Sequence, residues 1–330
     1  MSKSITLREL CGRINSFDNV LIIAHINPDP DALGSALGLK HIFKQLNKTS
    51  YIVCATKANE RVCGYFGVSP ELDFPETENL KFKPERIICV DSAAPSQIGS
   101  YGECLDGRID LVIDHHFTNT FYGRETYLDD KAAATGEIIY ELAQTLGVET
   151  DVDFARDVYC SIVCDSGSFR YESTTPKTMR IAAELISTGF DFAKLNRLIF
   201  QSKTTTQIAM ERLAYNSLKF ALGGRLAFIT ITREMKEAAG LMGVEIEGIN
   251  EIPRIVEGVE VGAVIKEADP DEKTKPGTFY VSLRSNDYVN VAEIAAYFGG
   301  GGHTRAAGCT YEGDAGTLET ELTNLIEKVL

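Results

Sequence analysis

The stretch Asp114-His115-His116 closes an apolar, strand-like run at 109–113 and sets three metal-competent side chains in a row. Two more apolar runs end in the same chemistry. Val20–Ala24 leads into His25-Ile26-Asn27-Pro28-Asp29-Pro30-Asp31, and Ile87-Ile88-Cys89-Val90 leads into Asp91. In an open parallel sheet, ligands gather outside the carboxyl ends of the strands, so strands ending in His or Asp converge on one crevice. Such convergence makes a metal centre.

The segments around these points read mostly as helices. Residues 4–17 carry Ile5, Leu7, Leu10 and Ile14 on one face, and Ala36, Leu39, Phe43 and Leu46 follow at helical spacing. Asp29 and Asp31 therefore fall in a loop and first helical turn, stiffened by Pro28 and Pro30, with Gly34 leaving room for close backbone approach. Either aspartate can equally serve as a helix cap. His41, mid-helix with no acidic partner nearby in sequence, is expected to be a surface or packing residue. Asp91 alone would pass for a turn former. Neighbours on an extended segment face opposite sides, so only one of His115 and His116 is expected beside a given metal, which leaves the other for acid-base or substrate work. Asp114 is expected to be a buried hydrogen-bond partner that orients a histidine. Phe154, Val158 and Ile162 mark a helix that runs into Asp165, a C-terminal turn residue by default, whose charge there is unfavourable unless something positive lies close, which a bound cation would provide.

Length and charge bound the function. With 330 residues, 44% of them hydrophobic, the chain has room for two domains with real cores. A net charge of −14 argues against coating long nucleic acid and leaves room for a short polyanion at a metal-loaded pocket. The eight cysteines lack C-x-x-C spacing, so zinc ribbons and disulfide frameworks are not expected. No signal segment and no spanning apolar run is read in the sequence, so a cytoplasmic location away from membranes is expected.

Past Gly189 the chain becomes more polar, and 201–207 is its least core-like stretch. Strand-like runs follow at 226–232, 259–266 and 278–284. Four glycines, Gly299 to Gly302, then precede His303 and Arg305. Four consecutive glycines are costly to order. A flexible linker would explain them, and so would a glycine loop whose backbone N–H groups, with His303, Arg305 and strand-end Arg284, clamp an anion.

Taken together, His25-x-x-x-Asp29-x-Asp31, Val90-Asp91-Ser92, Asp114-His115-His116, Asp165-x-Gly167-x-Phe169 and Gly300-Gly301-Gly302-His303-x-x-Ala306-Ala307-Gly308 resemble the DHH superfamily of phosphoesterases. Within it they are similar to the two-domain oligoribonucleases (nano-RNases) and pAp phosphatases of the NrnA type. The resemblance implies an α/β fold: an N-terminal parallel-sheet DHH domain with helices on both faces, and a smaller C-terminal α/β domain across a cleft. The expected boundaries are 1–187 for the metal-binding catalytic domain, 188–222 for a helical connector and 223–330 for the substrate-binding domain. It implies two Mn²⁺ ions, with Mg²⁺ or Co²⁺ as substitutes. His25, Asp29 and Asp91 would hold one; Asp31, Asp91, His115 and Asp165 would hold the other. Asp91, Asp114 and His116 would serve catalysis, and Arg284, Gly300, Gly301, Gly302, His303 and Arg305 would bind substrate. Expected substrates are short RNA oligonucleotides, pAp and related dinucleotides, turned over by a homodimer. Ser166 departs from the threonine many relatives carry. A phosphodiesterase for cyclic di-AMP or linear pApA is the alternative within the same metal set, while a pyrophosphatase or a catalytically silent nucleotide-binding regulator fits less well.

Overall fold

The computed structural model describes residues 3–74, 83–105, 107–243, 248–269 and 274–330, in two compact units, Met1–Ser202 and Lys203–Leu330. The first unit runs β1 (Lys3–Ser4), α1 (Leu7–Ser16), β2 (Val20–Ala24), α2 (Pro30–Gln45), β3 (Ser50–Cys54), α3 (Glu60–Phe66), α4 (Pro70–Asp73), β4 (Arg86–Val90), α5 (Ser100–Cys104), β5 (Leu111–Asp114) and β6 (Glu125–Leu128). It continues with α6 (Thr135–Leu146), α7 (Val152–Asp165), α8 (Pro176–Ser187) and α9 (Phe192–Asn196).

The strands form one parallel sheet in the order β1-β6-β5-β4-β2-β3. Leaving β1 aside, the chain lays β3 on one side of β2 and β4 on the other, so the topological switch point lies between β2 and β4. These are the strands that end at His25 and Asp91.

Both faces are covered, unequally. On one, Val20, Ile22, Ile88, Val90, Leu111 and Ile113 join a core with α1, α2, α6 and α7. On the other, Leu21, Ile23, Ile87, Cys89 and Val112 lie under the short turn Pro95–Ile98 and the side chains of Tyr101 and Leu105. Helix α2 buries Leu33, Leu39, Ile42 and Phe43, each worth about 1.5–3 kcal/mol, and this fixes its N-terminus at the sheet edge. Helices α2, α6 and α7 meet so closely that a Cβ on Gly34 would sit 2.5 Å from Asp157 O, and one on Gly136 would sit 2.0 Å from Ser161 Oγ.

Three expectations change here. The first helix starts only at Leu7, capped by Thr6 and Glu9, because Lys3 and Ser4 pair with β6. His41 does have an acidic partner, Asp157 on α7, with Nε2 3.4 Å from a buried carboxylate. His115 and His116 lie on the same side, their ring centroids 4.5 Å apart, because the strand ends at Asp114 and its alternation stops there.

The second unit runs α10 (Thr205–Asn216), β7 (Lys219–Ala221), β8 (Leu226–Ile231), α11 (Arg233–Ala238), β9 (Val261–Glu267), β10 (Thr278–Ser285), α12 (Val291–Tyr297), β11 (Gly301–His303), β12 (Ala306–Glu312) and α13 (Ala315–Glu327). Its mixed sheet has the order β11-β12-β10-β9-β8-β7, with β8 and β9 the parallel pair. The glycine stretch is thus not a free loop: Gly301 to His303 form the edge strand, paired with Ala306 to Gly308. Backbone crowding requires two of the glycines, since a Cβ on Gly300 would lie 2.2 Å from Gly308 O, and one on Gly302, at φ +147°, 2.5 Å from Ala306 O.

Candidate metal centre

The carboxyl ends of β2, β4 and β5, the start of α2 and the end of α7 bring together His25, Asp29, Asp31, Asp91, His115, His116 and Asp165. Asp91 sits at their middle. It directly follows β4 with φ +56°, a left-handed conformation that is sparsely populated for a residue with a side chain and is found where surrounding structure enforces it. Its carboxylate divides between two donor sets. Oδ2 is 3.6 Å from His25 Nε2, which is 3.7 Å from Asp29 Oδ1; Oδ1 is 3.7 Å from His115 Nε2. His115 Nε2 is in turn 3.6 Å from Asp31 Oδ2 and 3.5 Å from Asp165 Oδ2.

These separations are too long for good hydrogen bonds. They suit donors aimed at a common ion, because two ligands each about 2.1 Å from one cation lie at most about 4.2 Å apart. The histidines are preset for this role. His25 Nδ1–H donates to Ile26 O at 2.7 Å and His115 Nδ1–H to Ala132 O at 3.1 Å, which turns each Nε2 toward the carboxylates.

Charge makes the same case. Burial first, then repulsion from Asp91, Asp165 and Asp29, pushes the Asp31 carboxyl well above its ordinary range. Burial lifts Asp165 to about 6 against the pull of His115, with Asp91 adding repulsion. Burial opposes a charge on His25, yet Asp29 and Asp91 outweigh it and lift that ring to about 11. Protons stand here where a cation would relieve the crowding.

Several supporting residues escape sequence reasoning. Asp31 accepts from Ser35 Oγ at 3.0 Å, the Thr135 amide at 2.8 Å, the Gly136 amide at 3.2 Å and Ser161 Oγ. Thr135 Oγ1 donates to Asp91 Oδ1 at 2.9 Å. Asp29 is both cap and cluster member, since its Oδ1 accepts from the Asp31 and Ala32 amides. Asp114, wholly buried, receives Asn119 Nδ2 on one oxygen and His116 Nδ1–H at 2.7 Å on the other. The His116 bond lifts that ring to about 9 against burial.

Arg284, Gly300, Gly301, Gly302, His303 and Arg305 belong to the other unit. Arg284 lies on β10, His303 closes β11, and Arg305 stands in the turn to β12 with Nη1 3.4 Å from Val289 O.

A parallel sheet whose switch point gathers carboxylates and imidazoles at these distances is an α/β site able to hold metal ions. Residues 19–162 match the DHH family, N-terminal domain, and residues 245–330 match the DHHA1 domain. The chain belongs to the DHH family. It is 33% identical over 296 residues to the bifunctional oligoribonuclease and PAP phosphatase NrnA of Thermus thermophilus, covering 89% of this chain and 84% of that protein. It is 30% identical over 302 residues to the probable bifunctional oligoribonuclease and PAP phosphatase NrnA of Streptococcus mutans, covering 91% and 92%. The crystal structure of an exopolyphosphatase-related protein from Bacteroides fragilis shares the fold, with a TM-score of 0.86 at 22% identity over 98% of this chain and 95% of that one. No helix among the described residues is long and apolar enough to cross a membrane.

Proposed function

We propose that this hydrolase of phosphoester bonds cleaves short oligoribonucleotides to 5′-mononucleotides and removes the 3′-phosphate of pAp to leave AMP, using Mn²⁺. The single observation behind this is Asp91, whose two oxygens face two separate His/Asp sets. His25, Asp29 and Asp91 would hold one ion, and Asp31, Asp91, His115 and Asp165 a second; oxygen donors with imidazole suit manganese. When bound, such ions supply positive charge opposite the phosphoryl oxygens and lower the pKa of water. The substrates are those in the names of the two NrnA relatives.

The chain's own residues do the rest. Asp114 fixes the His116 ring through Nδ1. The charged ring then carries a proton on Nε2 near neutral pH and can pass it to the leaving oxygen. Arg284, His303, Arg305 and the glycine strand would grip the substrate phosphate and terminal nucleotide. We take the working protein to be a cytoplasmic homodimer.

The test is product analysis of 5′-phosphorylated di-, tri- and pentaribonucleotides, pAp and cyclic di-AMP with Mn²⁺, beside an Asp91→Ala protein. Mononucleotides from the oligomers and AMP from pAp, absent with the variant, are expected. Cleavage of cyclic di-AMP alone would replace this function with that of a cyclic-dinucleotide phosphodiesterase.

A further inference from the structure

We propose, resting on the oligoribonuclease reading above, that Tyr280 is a stacking platform for a base beyond the terminal nucleotide, so that the β10-β12-β11 edge of the second sheet, beyond the part covered by α10 and residues 249–252, holds a short single strand rather than one nucleotide. Along β10, Phe279, Val281 and Leu283 enter the core with α12 and α13, which leaves Tyr280, Ser282 and Arg284 on the opposite face. The register then sets three cross-strand rows on that face: Arg284-Ala306-His303, Ser282-Gly308-Gly301, and Tyr280-Thr310.

Each row has its own chemistry. In the first, Ala306 spaces Arg284 and His303 by two strand separations, about 10 Å at the backbone, room for a phosphate between two donors. The middle row is nearly bare. Gly301, unlike Gly300 and Gly302, is not demanded by the fold, because a Cβ there would meet nothing within 4 Å and its φ is not left-handed. A strand glycine that packing does not require leaves room for close approach by something else. In the third row Tyr280 stands 50% exposed. Aromatic rings on open sheet faces are the platforms on which sheet-based modules stack single-stranded bases.

The spacing matches an oligonucleotide. A nucleotide backbone repeats every six bonds and a peptide every three, so one extended nucleotide covers two strand residues, about 6.7 Å, which is one row. With a phosphate on the Arg284–His303 row, the first nucleotide covers the glycine floor and the next base reaches Tyr280. A mononucleotide such as pAp stops short of it.

The experiment compares wild-type, Tyr280→Ala and Tyr280→Phe full-length proteins in two assays. Turnover of pAp and of 5′-phosphorylated di-, tri- and tetraribonucleotides is measured with Mn²⁺. Binding of 3′-labelled di- and tetraribonucleotides is measured by fluorescence anisotropy in chelator. We expect Tyr280→Ala to raise KM and Kd for the tetranucleotide roughly ten-fold or more, to leave pAp within two-fold, and Tyr280→Phe to restore wild-type behaviour. An equal loss on every substrate, or no loss of tetranucleotide binding, overturns the role of Tyr280. Length-dependent binding loss in Tyr280→Ala, with a wild-type protein that turns over none of the substrates, would uphold Tyr280 and overturn the hydrolytic function instead.

Discussion

His116 Nδ1 lies 2.7 Å from Asp114 Oδ1, and the aspartate is wholly buried while the histidine is partly open to solvent. A buried carboxylate thus steers an exposed ring without reaching substrate itself. Asp114→Asn removes the charge that lifts His116 and sets its amide against that of Asn119. Activity should fall about 10- to 100-fold while cation affinity changes little. Steady-state kinetics beside a calorimetric cation titration checks both.

Asp91 and Asp165 should differ in how much they cost the site. Asp91 faces both donor sets and Asp165 only the one around His115. Asp91→Asn should abolish tight cation binding altogether, whereas Asp165→Asn should remove about half of the bound Mn²⁺. Metal content after gel filtration separates the two, and equal losses would refute the bridging role.

Cation binding should release protons. In the metal-free cluster His25, lifted to about 11, is charged at pH 7.5, and a charged imidazole cannot ligate. Each binding event at that site should therefore expel about one proton, read as a dependence of calorimetric heat on buffer ionisation enthalpy. Asp165, lifted to about 6, adds a second effect: as pH falls through that value its proton competes with the cation, so affinity should drop on the acid side.

The glycine run should split into two classes. Gly300→Ala drives a Cβ into Gly308 O and should destabilise the protein by about 1–3 kcal/mol. Gly301→Ala points into open space and should leave the melting temperature unchanged or higher, yet weaken substrate binding. Thermal melts of both variants, with KM for pAp, decide the matter.

Much of this was legible in the chain. Long apolar runs ending in His or Asp announced β2, β4 and β5, and helical spacing announced α2 and α7. What stayed hidden depends on partners far away in sequence. Strand β6 is short and holds Glu125, whose charge is met by Arg13 of α1, and β12 hid in the alanine and glycine pattern of a motif. His41 looked unpaired because Asp157 arrives from another helix. Thr135, Ser35, Ser161 and Asn119 are ordinary polar residues until folding aims them at a carboxylate.

Asp31 joins three helices at one point, with Ser35 from α2, Thr135 and Gly136 from α6, and Ser161 from α7 all bonded to it. A carboxylate that faces the candidate metal site and also ties the fold would make the protein's own lifetime depend on its ion supply. Without an ion there, the junction of these helices should loosen before the sheet does. Proteases would then clear the metal-free protein first, so its abundance should fall when the metal is withheld.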